Sequence, residues 1–306
     1  MKPATRFVLF AAPIAIAASI LFNSGGSDPE LPGNSHAAAD PADASVGPDP
    51  YAAADDEERR QLDERVAAMP AGLAAPKMRE IAWKLLSSSE GSTLDWRSQY
   101  AMIDDNGDGT GYTAGIVGFC SGTHDMLTFV EAFTEDHPDS PLKPFLPALR
   151  KVDGSGSHEG LDPGFTAAWK KSATDPAFRA AQDRVREQQY FEPAVRLAKL
   201  DGLGTLGQFI YFDAMVLQGP GTEPDAFYGI RKAALAEADT VDEGGDEKTY
   251  LDAFLDAART VMKSKKNQHD TSRIDTTQRQ FLNDGNLALK PPLTWKMYGE
   301  TFHLPA

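Results

Sequence analysis

Apolar residues recur with the 3.6-residue period of a helix through most of this chain, and that pattern constrains its fold more than any other feature. Met78, Ile81, Ala82, Leu85 and Leu86 fall on one face of a helix that Pro76 can open. The same spacing returns over 123–136 (Met126, Leu127, Val130, Phe133), 193–217, 225–238, 247–263 and 275–283. Strand-like stretches are few. The best is "YTAGIVGF" (112–119), whose glycines and β-branched residues suit a short, closely packed sheet. The pattern predicts a mainly α protein with a small β element beside an acidic loop.

The N-terminal region carries a different signal. Lys2 and Arg6 precede "FVLFAAPIAIAASILF" (7–22), sixteen residues without a charge, which is short for a membrane span and suited to a secretory h-region. Residues 1–39 are therefore read as a signal peptide or N-terminal anchor, which places the working part outside the cytoplasm. Residues 40–69 are read as a flexible linker, and 70–306 as one folded domain with two lobes. Export would permit disulfides, but Cys120 is alone, and inside "GIVGFCSG" it reads as a buried, inert thiol. With 45 acidic against 30 basic residues the net charge is −15, which argues against a nucleic-acid partner and favours a cationic or neutral one.

Two carboxylates stand out. "DDNGDGTGYT" (104–113) offers Asp104, Asn106 and Asp108 at the alternation of a calcium loop, yet the closing twelfth position is Gly115 and no acid lies between Asp108 and Asp125. Asp, Asn and Gly are also the ordinary residues of a solvated turn. Glu90 follows Ser87, Ser88 and Ser89 and precedes Gly91, which read as stop signals and put it at the C-terminus of the first helix. There the helix dipole disfavours a carboxylate's charge, which suits a proton donor, although an acid at a helix end can equally be a plain exposed residue. No metal site is expected, because no zinc spacing is present.

The stretch "EIAWKLLSSSEGSTLDWRSQYAMIDDNGDGTGYTAGIVGFCSGTHDM" (80–126) resembles the opening of the family 46 glycoside hydrolases, the secreted chitosanases. The likeness continues through "FLPALRKVDGSGSHEGL" (145–161), "YFEPAV" (190–195), "DGLGTLGQFIYFDAMVLQGPG" (201–221), "HDTSRIDTTQRQFL" (269–282) and "LKPPLTWKMYG" (289–299). The resemblance implies a lysozyme-like, two-lobed helical fold with a small β-sheet beside the active-site cleft. It implies an inverting, endo-acting hydrolase of chitosan and chito-oligosaccharides, monomeric and without a cofactor. By the same resemblance Glu90 is the general acid, Asp108 the general base, and Thr113 positions the attacking water. Asp125, Tyr190 and Asp213 are placed with the substrate, and Asp213 also belongs, with Arg273 and Arg259, to a supporting charge network. The chain departs from the family pattern at His124, Gln218 and the position of Arg259. A muramidase-like hydrolase and a non-catalytic binder of a cationic polysaccharide are the alternative readings.

Overall fold

The computed structural model describes residues 56–107, 109–264 and 270–306. Helices α1 (Asp56–Ala68) and α2 (Pro76–Gly91) come first. A three-stranded antiparallel sheet follows, of β1 (Ile103–Asp105), β2 (Tyr112–Ala114) and β3 (Phe119–Cys120), in sequence order. Then come α3 (Asp125–Asp136), α4 (Leu146–Val152), α5 (Phe165–Ser172) and α6 (Pro176–Val185). A π-helical turn at Arg186–Phe191 leads into α7 (Glu192–Leu200), α8 (Thr205–Gln218), α9 (Phe227–Leu235) and α10 (Glu247–Ser264). A second π-helical turn, Ile274–Gln278, runs into α11 (Arg279–Asn283), and a hairpin of β4 (Leu293–Met297) and β5 (Glu300–Leu304) closes the chain.

The expectation of a mainly helical protein with a small sheet holds, and several details differ. "YTAGIVGF" is two strands joined by a turn, because Gly115 and Gly118 take positive φ (79° and 72°) and reverse the chain. The 193–217 segment is two helices. Asp201 and Gly202 break it: Gly202 is left-handed (φ 77°), and the Asp201 carboxylate receives Arg231 Nε (2.9 Å), Arg231 Nη2 (2.6 Å) and the Tyr211 hydroxyl (2.6 Å). Within the stretch read as a linker, residues 56–68 form α1, which buries none of its residues. Ion pairs tie it to the rest, through Arg65 with Asp242 and Arg196 Nε with Asp63 at 3.0 Å. The terminal hairpin had no clear signal in the sequence.

Within one continuous core, aromatic residues gather in two groups, one in each lobe. Phe119, Phe129, Phe133, Trp169 and Phe178 pack edge-on and stacked beneath the sheet, α3, α5 and α6. Tyr211, Phe227 and Phe254 do the same among α8, α9 and α10. Between them Trp83 of α2 meets Phe191 and Phe212 at centroid distances of 4.9 and 5.4 Å. Helix α2 thus runs along the junction, and its C-terminal end delivers Glu90 there. No helix among the described residues is long and apolar enough to cross a membrane, and residues 1–39 lie outside the described residues.

Candidate active site

Glu90 is the penultimate residue of α2, whose end is closed by the left-handed Ser92 (φ 47°). Ser87, Ser88 and Ser89 sit inside the helix and are buried, so they do not stop it. The hydroxyls of Ser88 and Ser89 donate back to Leu85 O and Leu86 O at 2.7 and 2.8 Å, which satisfies them within the helix. Their lone pairs then receive the second lobe. Trp295 Nε1 donates to Ser88 Oγ (3.0 Å), Arg273 Nη2 donates to Ser89 Oγ (2.7 Å), and the Tyr298 hydroxyl donates to Ser89 O (2.8 Å).

The same Arg273 Nη2 donates to Glu90 Oε1, and its Nε lies 3.3 Å from Asp213 Oδ2. Asp213 also accepts from Gln278 Nε2 at 2.6 Å. With side-chain exposures of 5% for Arg273, 2% for Asp213 and 14% for Glu90, the set is largely withdrawn from water. Burial pushes the Asp213 carboxyl up to about 6, with Arg273 acting against that shift and Glu90 adding to it. Arg273 itself is held above its ordinary value, its two carboxylate neighbours outweighing burial. Asp213 is thus buried and shares Arg273 with Glu90.

The acidic loop joins β1 to β2. Asp108 lies outside the described residues. Its neighbours Gly107 and Gly109 are left-handed (φ 71° and 87°), and Asp105 Oδ1 accepts the Gly107 N–H at 2.8 Å, so Asp105 shapes the turn. Gly111 packs against Ser121, whose Oγ accepts the Tyr112 N–H (2.9 Å), and a methyl group at 111 would overlap that hydroxyl. Among the described residues no three His, Cys, Asp or Glu side chains converge as a metal site would require.

Thr113, in the middle strand, pairs with Asp104 on one side and Cys120 on the other. Its side chain is buried and its Oγ1 lies 3.4 Å from Cys120 Sγ. Burial pushes that thiol up to about 12, with Asp125 adding to the effect. Asp125 opens α3 and closes the β3–α3 turn: its carboxylate accepts the Cys120 N–H (3.1 and 3.2 Å) and the Thr123 hydroxyl (2.7 Å). Burial raises it to about 6 against those hydrogen bonds. Tyr190 is buried close by, its hydroxyl raised by burial and then by Asp125. His124, ahead of Asp125, pairs through Nδ1 with Asp153 at 2.6 Å.

Arg259 stands apart from the Glu90 network. Its Nε and Nη2 grip Asp275 at 2.8 and 3.0 Å, and Asp275 also accepts the Thr271 hydroxyl at 2.7 Å. The structure thus brings together Glu90, Arg273 and Asp213, and separately Thr113, Cys120, Asp125 and Tyr190. Gln278, Trp295 and Tyr298 join this surrounding without having been singled out in the sequence. Trp295 and Tyr298 reach Ser88 and Ser89 across about two hundred positions, a separation no local pattern encodes.

Residues 84–293 match the glycosyl hydrolase family 46 description. The chain belongs to this family. It is a glycoside hydrolase with the lysozyme-like helical fold of its family 46 relatives. A chitosanase from Streptomyces sp. (strain N174) is 54% identical over 232 residues, 76% of this chain and 84% of that protein. A chitosanase from Bacillus subtilis (strain 168) is 35% identical over 73% of this chain and 83% of its own length. The solved structure of a family 46 chitosanase from Gynuella sunshinyii with chitotetraose superposes with a TM-score of 0.70 at 31% identity, covering 76% of this chain and 99% of that one.

Proposed function

We propose that this family 46 enzyme is an exported, monomeric, endo-acting hydrolase of chitosan in which Glu90 protonates the leaving glycosidic oxygen and Asp108 activates water. The observation that carries the reading is Glu90 at the lobe junction, gripped by a buried arginine, in a chain that matches family 46 from residue 84 to 293. Glycosidic cleavage needs one carboxyl to give a proton and another to take one from water, in different surroundings. Glu90 lies near the end of a helix against Arg273, and Asp108 is flanked in sequence by Gly107 and Gly109. An inverting course follows from water, and not a carboxylate, attacking the sugar. A polymer of protonated amino sugars complements a chain of net charge −15.

Incubation of the purified protein with chitosan and with peptidoglycan tests the substrate, with reducing ends as the readout. Reducing ends from chitosan, with the α-anomer first by NMR, are expected. Release only from peptidoglycan would replace the substrate, and a β-anomer appearing first would replace the mechanism.

A further inference from the structure

In one narrow recess beside Glu90, three residues each carry a buried polar atom with no hydrogen-bond partner: Ser87 Oγ, Gln99 Oε1 and Arg186 Nε. The wall of the recess also includes Trp83, Trp96 and Glu90. Their surroundings hold the three side chains in place. Ser88 and Ser89 turn their hydroxyls back to helix carbonyls, whereas Ser87 does not. The Gln99 amide nitrogen donates to Ser98 Oγ (3.2 Å), and the side chain lies so close over Gly91 that a methyl group there would overlap it. Arg186 is fixed by Nη2 on Asp183 (2.7 Å) and by its guanidinium over Trp83 and Trp96, 3.8 and 5.0 Å from their centroids.

Buried polar atoms are normally paired, with water where protein cannot reach. The recess offers ≈ 10 Å³ to the centre of a water-sized sphere. That is room for about one molecule, and its polar partners are of both kinds. We propose that Ser87, Gln99 and Arg186 hold one water molecule against Glu90, and that this water positions the acid through both halves of its proton cycle. The inference rests on Glu90 being the proton donor.

The water's own four hydrogen bonds are filled in both states. With Glu90 neutral, the water accepts from Arg186 Nε–H and from the carboxyl O–H, and donates to Gln99 Oε1 and Ser87 Oγ. With Glu90 ionised, the water turns one hydrogen to the carboxylate, keeps Gln99, and accepts from Arg186 and from the Ser87 hydroxyl. Ser87 makes the exchange possible because a hydroxyl both donates and accepts. Among the described residues, the other charged or titratable groups coupled to Glu90 include Arg273, Asp213 beyond it from α8, and Tyr298 from the β4–β5 turn. Arg273 grips Glu90 Oε1 in a fixed manner, so the recess supplies the adjustable contact.

The test uses the full chain and its Ser87→Ala and Gln99→Leu variants. A high-resolution crystal structure is expected to show a water within hydrogen-bond distance of the three atoms and of Glu90. Each variant is expected to lower kcat on chitosan roughly 3- to 10-fold with KM unchanged, the size of one hydrogen bond lost in the transition state. Ser87→Ala also separates the ideas by stability. Removing a hydroxyl that pairs with nothing leaves the melting temperature unchanged or raised, whereas removing a water ligand lowers it. A dry recess, or Ser87→Ala with full kcat and an unlowered melting temperature, overturns the proposal. Glu90→Gln, measured alongside, keeps the two readings distinct. If it is inactive while both recess variants match wild type, the acid stands and the water falls; if it is active, both fall.

Discussion

Arg273 grips Glu90 from across the lobe junction, and the same guanidinium lies 3.3 Å from the buried Asp213. One cation thus answers two carboxylates that are themselves mostly out of water. Replacing Arg273 by Ala leaves both without it. Breaking a buried pair in this way costs about 3–5 kcal/mol. Urea unfolding of Arg273→Ala is expected to show a loss of that size, with hydrolysis falling in parallel. Arg273→Lys keeps the charge without the planar fork and is expected to fall between. Wild-type stability in Arg273→Ala would mean that the pair carries no structural weight.

The raised carboxyls set a pH dependence. Burial lifts Asp125 and Asp213 from an ordinary value of 3.8 to about 6. An acid whose folded-state value is raised binds its proton more tightly when folded, so its contribution is full below about pH 4 and lost as pH rises through about 6. Asp125→Asn retains an acceptor for Thr123 and Cys120 without titrating. Its melting temperature is expected to fall less between pH 4 and 6 than that of wild type. Parallel curves would show that Asp125 does not titrate in that window.

Much of this was legible in the sequence, and the boundary between what was and was not is physical. Periodicity located α2, α3 and α10 because their apolar faces are local records of burial. The serines before Glu90 were misread as a stop because their cross-lobe acceptor role depends on Arg273 and Trp295, far along the chain. The burial of Asp213 was not legible either, because an acid in a resembling motif does not announce whether it faces outward or lies within the fold. The terminal hairpin alternates buried and exposed residues over only five positions in β4, too few to separate from chance.

Cys120 is fully buried, and its thiol is pushed up to about 12. A thiolate-selective reagent is expected to leave the native protein unmodified and active, and to react fully after denaturation. Rapid native labelling with loss of activity would place the thiol at the surface of the site.

Charge attraction gives a separate expectation for binding. The affinity of the −15 chain for a polymer of protonated amines should weaken with ionic strength, appearing as a KM on chitosan that rises between low salt and about 0.5 M while kcat holds. A KM independent of salt would remove long-range attraction from the account.

The most direct measurement is the rate of reducing-end release from chitosan by Glu90→Gln beside wild type, with circular dichroism of both. Glutamine keeps the side chain's shape and an acceptor for Arg273 but has no acidic proton to give. The expected kcat drops by about 10²- to 10⁴-fold with an unchanged spectrum. Near wild-type turnover by a correctly folded Glu90→Gln would contradict it, because the proton would then be coming from another group.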